Sequence, residues 1–358
     1  MDQASVAAFA LQPFRALRLT DSHVGDPTAA RVISRPYRSV PGRLLEWRRR
    51  RHLQIDPEPS IYLHEYTSAG VTVRGLVGLI DLAQVRHSVF AHEGTYAPQV
   101  NQLADRMSAM SLNPAPILLM HAGEPELRAI LDTTAARPPD LVYTDRSDQV
   151  QRIWRITSPT LLSELNARLS GTQTVIADGH HRYQAAQQLA QRCPGTDWAS
   201  TLVMLVDQHD TPLQLSAIHR TVPRLTLDAV RAALKPGQSF VSQPNSHAAL
   251  AHLDHALVLH DGTNWATLES KNGHDLLVRW LHEELIPAWG AGEAKIAFHH
   301  SAGEAISRVG HGVTVLLPAP RFTQVAASAT SGLLLPAKAT SFQPKPNLGV
   351  LMRQLDVD

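Results

Sequence analysis

Apolar runs alternate with polar turns along the N-terminal part of the chain. Two β-rich runs, Ser60–Thr67 and Val71–Leu82, flank the short turn 68–70, and this spacing predicts a β-hairpin. Between Gln99 and Ser111 apolar residues recur every three or four positions, which predicts an amphipathic helix. The run Ala115–His121 is apolar and short, so it predicts a buried strand.

The middle of the chain continues this alternation of strands and helices. Ser158 as N-cap and Pro159 at the first helical position begin one predicted helix. A strand over 173–178 then leads into a helix from about His180 to Cys193, and beyond about Pro223 a second group of elements begins. We therefore predict an α+β (mixed α/β) protein with a β-rich segment at 1–80, a core at 81–223 and an α/β domain at 224–358.

Composition and charge exclude several classes of protein. Hydrophobic residues make up 44% and charged residues 18% of the 358 residues, as in globular proteins. The 33 Lys and Arg balance 32 Asp and Glu, which gives no general electrostatic reason to bind nucleic acid or a membrane. Cys193 is the only cysteine, so no intrachain disulfide is possible. A soluble cytoplasmic protein is the expectation.

The segment from Asp178 to Arg182 predicts an anion site. Gly179 allows a sharp turn, and the free N–H groups of the following helix present the positive end of its dipole. His180, His181 and Arg182 add donors in the first turn, where cations oppose the dipole unless an anion lies among them. Asp178 could also be an ordinary N-cap beside surface histidines. Zinc is disfavoured, because adjacent histidines on a helix point about 100° apart.

A second candidate cluster is the segment 92–95. Glu93 beside His92 could act as general base for a hydroxyl, whereas Thr95 could be a helix cap or turn residue. Elsewhere, His219 and Arg220 end a predicted strand. A proline-bounded segment near the C-terminus contains Lys338 and Lys345, with Thr340 and Ser341 available as hydroxyl donors. Each of these signals is weak by itself.

Several sequence blocks together resemble a known family, number 1015 in the series of domains of unknown function. The most specific block is 176–186, "IADGHHRYQAA". The others occur in the family's order: "LQPFRALR", "RPYRSV", "HEGT", "PILLM", "LSAIHR" and "LLPAKATSFQPKPNLGV". The chain departs from the family where Arg35-Pro36-Tyr37-Arg38 replaces "PPYD" and where Ala339 replaces a common serine.

The resemblance implies a fold and an activity. It implies a ParB/sulfiredoxin-like core like that of free-serine kinases, which phosphorylate serine with ATP or ADP. By this resemblance Glu93 would be the base, with His92 beside it, and Asp178 to Arg182 would bind nucleotide phosphates with Mg²⁺. Thr95, His219, Arg220 and Lys338 would be further substrate or phosphate contacts.

Three functions stay open from the sequence. The first is a kinase acting on a free hydroxy amino acid, with serine first and threonine or a related alcohol next. The second is a nucleotide-binding regulatory protein without turnover, and the third is a phosphoamino-acid phosphatase.

Overall fold

The computed structural model of the protein describes residues 8–29, 40–271, 273–274, 276–292 and 295–355. Contacts along the chain define two compact units. Unit one contains Met1–Ala91, Thr95–Leu213 and Pro344–Asp358; unit two contains His92–Gly94 and Gln214–Gln343. Both units combine helices and sheets, which confirms the α+β class. The three-part division at 80 and 223 stays a prediction, and the segment 35–38 lies outside the described residues.

Unit one is built around an eight-stranded mixed sheet. The strand order is β5-β10-β7-β11-β4-β3-β9-β8. The hairpin predicted around 68–70 is confirmed, because β3 and β4 pair in antiparallel register from Tyr62 with Val77 to Ser68 with Val71. Ala69 and Gly70 both have positive φ, as a tight hairpin turn requires. The strands are β3 (Ile61–Ser68), β4 (Val71–Asp81), β5 (Val89–Phe90), β7 (Ile117–His121), β8 (Leu141–Thr144), β9 (Val150–Ile156), β10 (Thr174–Asp178) and β11 (Ser200–Asp207).

A second sheet of unit one includes a strand from the C-terminus. Its order is β2-β1-β20-β6, and β20 pairs with both β1 and β6. The last part of the chain is thus hydrogen-bonded into unit one. These strands are β1 (Ala16–Leu19), β2 (Leu53–Ile55), β6 (Leu112–Asn113) and β20 (Met352–Gln354).

The helices of unit one cover the large sheet with apolar faces. The helix that follows β10 buries Tyr183, Ala186 and Leu189 in the same core as Ile176 of β10. The helices are α1 (Val40–Arg49), α2 (Ala97–Met110), α3 (Pro125–Ala135), α4 (Pro159–Leu169) and α5 (His180–Arg192), with 3₁₀ turns at Gln84–His87 and Asp197–Ala199. The predicted helices at 99–111 and 180–193 are confirmed to within two residues at each end.

Unit two contains a six-stranded antiparallel sheet and a separate two-stranded sheet. The orders are β14-β16-β15-β18-β13-β17 and β12-β19. The core contains Leu257 and Leu259 of β15 with Val313 and Val315 of β18. The strands are β12 (Gln214–Ala217), β13 (His219–Pro223), β14 (Gln238–Gln243), β15 (Leu257–His260), β16 (Trp265–Ser270), β17 (Ala297–His299), β18 (Gly312–Leu316) and β19 (Thr340–Gln343).

The helices of unit two are short. One of them continues through a π-helical turn, Leu281–Leu285, into a further helical turn. Within the described residues of both units, no helix is both long and apolar enough to cross a membrane. The helices are α6 (Leu227–Ala232), α7 (Ser246–Leu250), α8 (Leu277–Trp280), α9 (Ile286–Ala288), α10 (Ala302–Ser307) and α11 (Phe322–Thr330).

Candidate functional site

The turn between β10 and α5 is built around Gly179. Gly179 is the N-cap residue of α5 and has φ +99°, in the left-handed region that favours glycine. A Cβ at this position would lie 3.0 Å from Nη2 of Arg182, so a side chain there would also displace the guanidinium group by a few tenths of an ångström. Asp178 therefore ends the strand and is not the N-cap. The first N–H groups of α5 have no partner within the helix, as at any helix start.

Asp178 is held between two cations. Its Oδ2 accepts a hydrogen bond from Nη2 of Arg182 at 2.7 Å, and its Oδ1 accepts one from Nζ of Lys345. Burial alone would raise the pKa of the Asp178 carboxyl, but the charges of Arg182 and Lys345 outweigh it and lower the pKa below its usual range. Two cations against one carboxylate leave a net positive charge at the start of α5, which favours an anion.

Arg182 also contacts the loop before β7. Its Nη1 donates to the carbonyl oxygens of Ala115 and Pro116, at 3.0 and 2.8 Å. Both terminal nitrogens of the guanidinium group thus donate to groups of unit one. The positive charge of Arg182 is therefore fixed in place. It attracts an anion at longer range, while its terminal nitrogens are already engaged within unit one.

A set of hydrogen bonds positions Lys345 beside Asp178. The hydroxyl of Tyr66 donates to the carbonyl oxygen of Pro344 at 2.7 Å, and Nε2 of Gln149 donates to that of Lys345 at 2.9 Å. Burial raises the pKa of the Tyr66 phenol, and the charge of Asp178 raises it further, so Tyr66 stays a hydrogen-bond donor. The backbone at 344–345 is therefore fixed, while the Lys345 side chain is 44% exposed and able to reach a ligand.

The two histidines of the first turn differ in their surroundings. His180 is buried, and its ring contributes to lowering the pKa of Asp178. The backbone N–H of Tyr96, the N-cap of α2, donates to Nε2 of His181 at 3.1 Å. In this arrangement Nε2 of His181 is the hydrogen-bond acceptor.

Glu93 belongs to unit two, where its carboxylate binds the segment 338–340. Its Oε1 accepts hydrogen bonds from the backbone N–H and the hydroxyl of Thr340, at 3.0 and 3.1 Å. Its Oε2 accepts one from the backbone N–H of Lys338 at 3.2 Å. A β-bridge between Glu93 and Leu335 adds to this contact. The carboxylate therefore helps to fix the chain around Lys338, whose φ of +57° is unusual for a residue other than glycine.

His92 reaches Glu93 through a hydroxyl group. Nε2 of His92 lies 2.7 Å from Oγ1 of Thr340 and 3.6 Å from Oε1 of Glu93. Because the single hydroxyl proton of Thr340 is donated to Glu93, Nε2 of His92 is the donor to Thr340. His92, Thr340 and Glu93 thus form a directed hydrogen-bond relay in unit two.

Arg220 and His219 are buried in unit two. Burial lowers the pKa of Arg220 to about 10, against the attraction of Glu93, and its Nη2 donates to the carbonyl oxygen of Lys338 at 2.9 Å. Burial, with the charge of Arg220, lowers the pKa of His219 to about 4, so His219 is neutral at pH 7. Arg220 therefore supports the segment around Lys338, while His219 accepts a hydrogen bond from the backbone N–H of Leu317, and the two residues form no open cationic surface.

The remaining predicted residues are exposed. Thr95 is exposed and is not the N-cap of α2, since Tyr96 occupies that position. The ammonium group of Lys338 lies 4.8 Å from the ring centroid of Phe298, within cation–π range. The sequence singles out Lys345 and the hydroxyl of Thr340 in the proline-bounded segment, but it does not predict their partners, Asp178 and Glu93.

Mg²⁺ would find a single carboxylate in the Asp178 cluster. Mg²⁺ is commonly held by one or two carboxylates together with substrate phosphates. Both oxygens of Asp178 already accept hydrogen bonds from cations. Asp178 could therefore hold a Mg²⁺ only after Lys345 releases one of its oxygens, and the ion would take its other ligands from nucleotide phosphates and water.

The sequence matches one protein family over most of its length. The model of the family described as "protein of unknown function (DUF1015)" matches residues 2–289. The chain belongs to this family. No curated protein matches the sequence.

Solved structures resemble this DUF1015 protein only distantly. A free serine kinase mutant in complex with ADP is 13% identical, with a TM-score of 0.43, over 76% of this chain and 92% of that chain. A conserved hypothetical protein from Pyrococcus furiosus is 13% identical, with a TM-score of 0.42, over 76% and 93%. C-terminally truncated SbnI from Staphylococcus aureus is 11% identical, with a TM-score of 0.45, over 76% and 85%. At this distance the likeness assigns no activity, and function must be inferred from the residues themselves.

Proposed function

We propose that the protein is a kinase that transfers a phosphoryl group from ATP or ADP to the hydroxyl of a free amino acid, serine first and threonine or a related alcohol next. The observation that carries the proposal is the cluster at the start of α5. Asp178 lies there between Arg182 and Lys345, beside backbone N–H groups that have no helical partner. Phosphoryl transfer depends mainly on positioning and on the neutralisation of phosphate charge, which such a cluster supplies.

In this proposal the residues of unit one bind the phosphates. The N–H groups at the start of α5 donate to phosphate oxygens, and Lys345 turns from Asp178 toward the phosphate. The charge of Arg182 stays in place, since Ala115 and Pro116 hold it. Asp178 would then be the carboxylate that holds a Mg²⁺, and the ion would neutralise charge on the nucleotide phosphates.

Glu93 is the proposed base. It would take the proton of the acceptor hydroxyl as that oxygen bonds to the terminal phosphorus and the bond to the bridging oxygen breaks. The support is the family motif and the relay from His92 through Thr340. The relay holds the Glu93 carboxylate in one orientation, as general-base catalysis requires.

The fold and the setting complete the proposal. The core is proposed to be ParB/sulfiredoxin-like, as the sequence resemblance implies. A nucleotide and a free hydroxy amino acid are the proposed partners and the cytoplasm is the proposed location. Nucleic acid is not a proposed partner, because the 33 basic and 32 acidic residues balance.

One observation favours a second candidate function, a nucleotide-binding regulatory protein without turnover. The Glu93 carboxylate accepts three hydrogen bonds from Lys338 and Thr340. A glutamate with a structural role and no catalytic role would make the same bonds. This candidate expects nucleotide binding without consumption that depends on an amino acid.

The experiment that separates the candidates is a phosphorus NMR time course. The full chain is incubated with Mg²⁺, ATP or ADP, and a panel of hydroxy amino acids. The kinase proposal expects a new phosphomonoester signal with one acceptor. Unchanged spectra with every acceptor, together with measurable nucleotide binding by calorimetry, would replace it with the regulatory function.

A further inference from the structure

A cluster of two histidines and a glutamate lies in unit two. His252 and His255 lie in the turn that follows α7, and Glu269 lies on β16. Backbone hydrogen bonds from His255 and Ala256 to the carbonyl oxygen of His252, at 3.2 and 2.9 Å, fix this turn. One ligand atom from each of the three side chains falls within 4.8 Å of the other two.

The distances within the cluster are close to those of a metal site. Oε1 of Glu269 lies 3.8 Å from Nδ1 of His252 and 3.8 Å from Nε2 of His255. Around a tetrahedral Zn²⁺ with bonds of about 2.0–2.1 Å, neighbouring ligand atoms lie roughly 3.3 Å apart. The two distances to Glu269 exceed this spacing by about half an ångström, a difference that side-chain rotations can close.

The hydrogen bonding of the two histidines leaves the right nitrogens for a metal. Nδ1 of His252 is shielded from solvent and makes no hydrogen bond with the described part of the chain. Nδ1 of His255 instead bonds to the carboxylate of Asp254. Nδ1 of His255 therefore donates to Asp254, and Nε2, which lies 3.8 Å from Oε1 of Glu269, is the nitrogen left to bind a metal. A carboxylate behind a ligating histidine is the usual support of a zinc site.

The cluster borders a cavity of about 550 Å³. His255, Glu269 and Asp254 line it, together with Arg321. Three protein ligands and an open fourth position are typical of zinc sites that bind water or a substrate, whereas structural sites usually have four protein ligands. Arg321 would add a positive charge on the same cavity.

We propose that His252, His255 and Glu269 bind Zn²⁺ and leave one coordination position open to this cavity, for water or for a small anion such as a carboxylate or phosphate. Imidazole nitrogens with a carboxylate oxygen are a ligand set that suits Zn²⁺, while Mg²⁺ prefers oxygen alone. The site does not depend on the proposed kinase activity.

The test is a zinc titration of the full chain after treatment with a chelator. Zn²⁺ competes with a chromogenic indicator, and Co²⁺ absorption reports the geometry. The proposal expects one equivalent bound with a tetrahedral Co²⁺ spectrum, and at least tenfold weaker binding in His252→Ala, His255→Ala and Glu269→Gln. Asp254→Asn, which alters only the support of His255, is expected to weaken binding by about 10- to 100-fold.

His247→Ala is the matched control, because His247 is an exposed histidine on α7 outside the cluster. It is expected to bind Zn²⁺ like the unaltered chain. Circular dichroism melts of the metal-free variants identify any loss of folding, and Glu269→Gln keeps the side-chain shape. Binding by Glu269→Gln and His252→Ala that equals the unaltered chain, or an equal loss in His247→Ala, would overturn the proposal.

Discussion

Lys345 forms an ion pair with Asp178 although 167 residues separate them in the sequence. The pair depends on a C-terminal segment that hydrogen bonds fix to unit one, through Tyr66 and Gln149. Because both residues lie beside the start of α5, the ion pair connects the family's most specific motif with its last one. The pair is therefore the first place to test nucleotide binding.

Lys345→Ala is expected to weaken binding of ADP and ATP by about tenfold. The change removes one charge-assisted hydrogen bond to phosphate, worth about 1.5–3 kcal/mol, and part of that loss is recovered by solvent at this half-exposed position. The free energy of unfolding should change by less than about 1 kcal/mol, as for other exposed ion pairs. Calorimetric titration with nucleotide measures the first effect and urea unfolding the second.

The control for Lys345→Ala is Lys235→Ala, an equal change of charge in unit two. It should leave nucleotide affinity unaltered. Equal affinities in the unaltered chain and in Lys345→Ala would remove Lys345 from the phosphate site.

Gly179→Ala is expected to destabilise the protein and to weaken nucleotide binding together. The left-handed φ costs an L-residue about 1–2 kcal/mol. The new methyl group would also lie 3.0 Å from Nη2 of Arg182, the nitrogen that donates to Asp178, so this nitrogen must shift by a few tenths of an ångström. Gly171→Ala is the control, because Gly171 has no positive φ and a Cβ there meets nothing within 4 Å. Urea unfolding that gives the same result for both variants would contradict this account.

The features of the sequence that are local in the chain were predictable, and those made by distant residues were not. The boundaries of α5 and the turn at Gly179 follow from an apolar period and one glycine, so they could be read directly. The partners of Glu93 could not be predicted, because Thr340 is 247 residues away. A sequence does not show which group a distant hydroxyl contacts. Glu269 likewise meets His252 and His255 only through the way β16 packs in unit two.

Burial also changes the roles expected of Arg220 and His219. Arg220 and His219 read as cations at a strand end, a pattern that suggests a ligand contact. Arg220 is fully buried and donates to chain carbonyl groups, and His219 is kept neutral. Burial depends on the whole of unit two and left no local trace in the sequence.

The low pKa of His219 predicts a loss of stability in acid. The folded protein holds His219 neutral down to about pH 4, whereas the unfolded chain binds a proton near pH 6.5. The unfolded state therefore carries more protons between these values, and the contribution of His219 to stability is complete above about pH 6.5 and falls as the pH decreases toward 4. His219→Gln should reduce the slope of the unfolding free energy against pH in this window, by an amount equivalent to at most one bound proton.

Urea unfolding at several pH values between 4 and 8 measures this slope. His247→Gln, at an exposed histidine, should keep the slope of the unaltered chain. Identical slopes for His219→Gln and the unaltered chain would mean that His219 titrates normally in the folded protein.

Glu93→Gln separates the catalytic role of Glu93 from its structural one. The amide oxygen of glutamine can still accept both hydrogen bonds from Thr340, and only the bond from the Lys338 N–H is lost. The variant should therefore fold and bind nucleotide, but it cannot take a proton. Phosphoryl transfer should fall by about 10²- to 10⁴-fold, the range that general bases contribute. The rate of phosphomonoester formation measures this, with Glu58→Gln as an exposed control that keeps full activity. A folded Glu93→Gln variant that transfers phosphate at the unaltered rate would leave Glu93 as a structural residue that fixes the segment around Lys338.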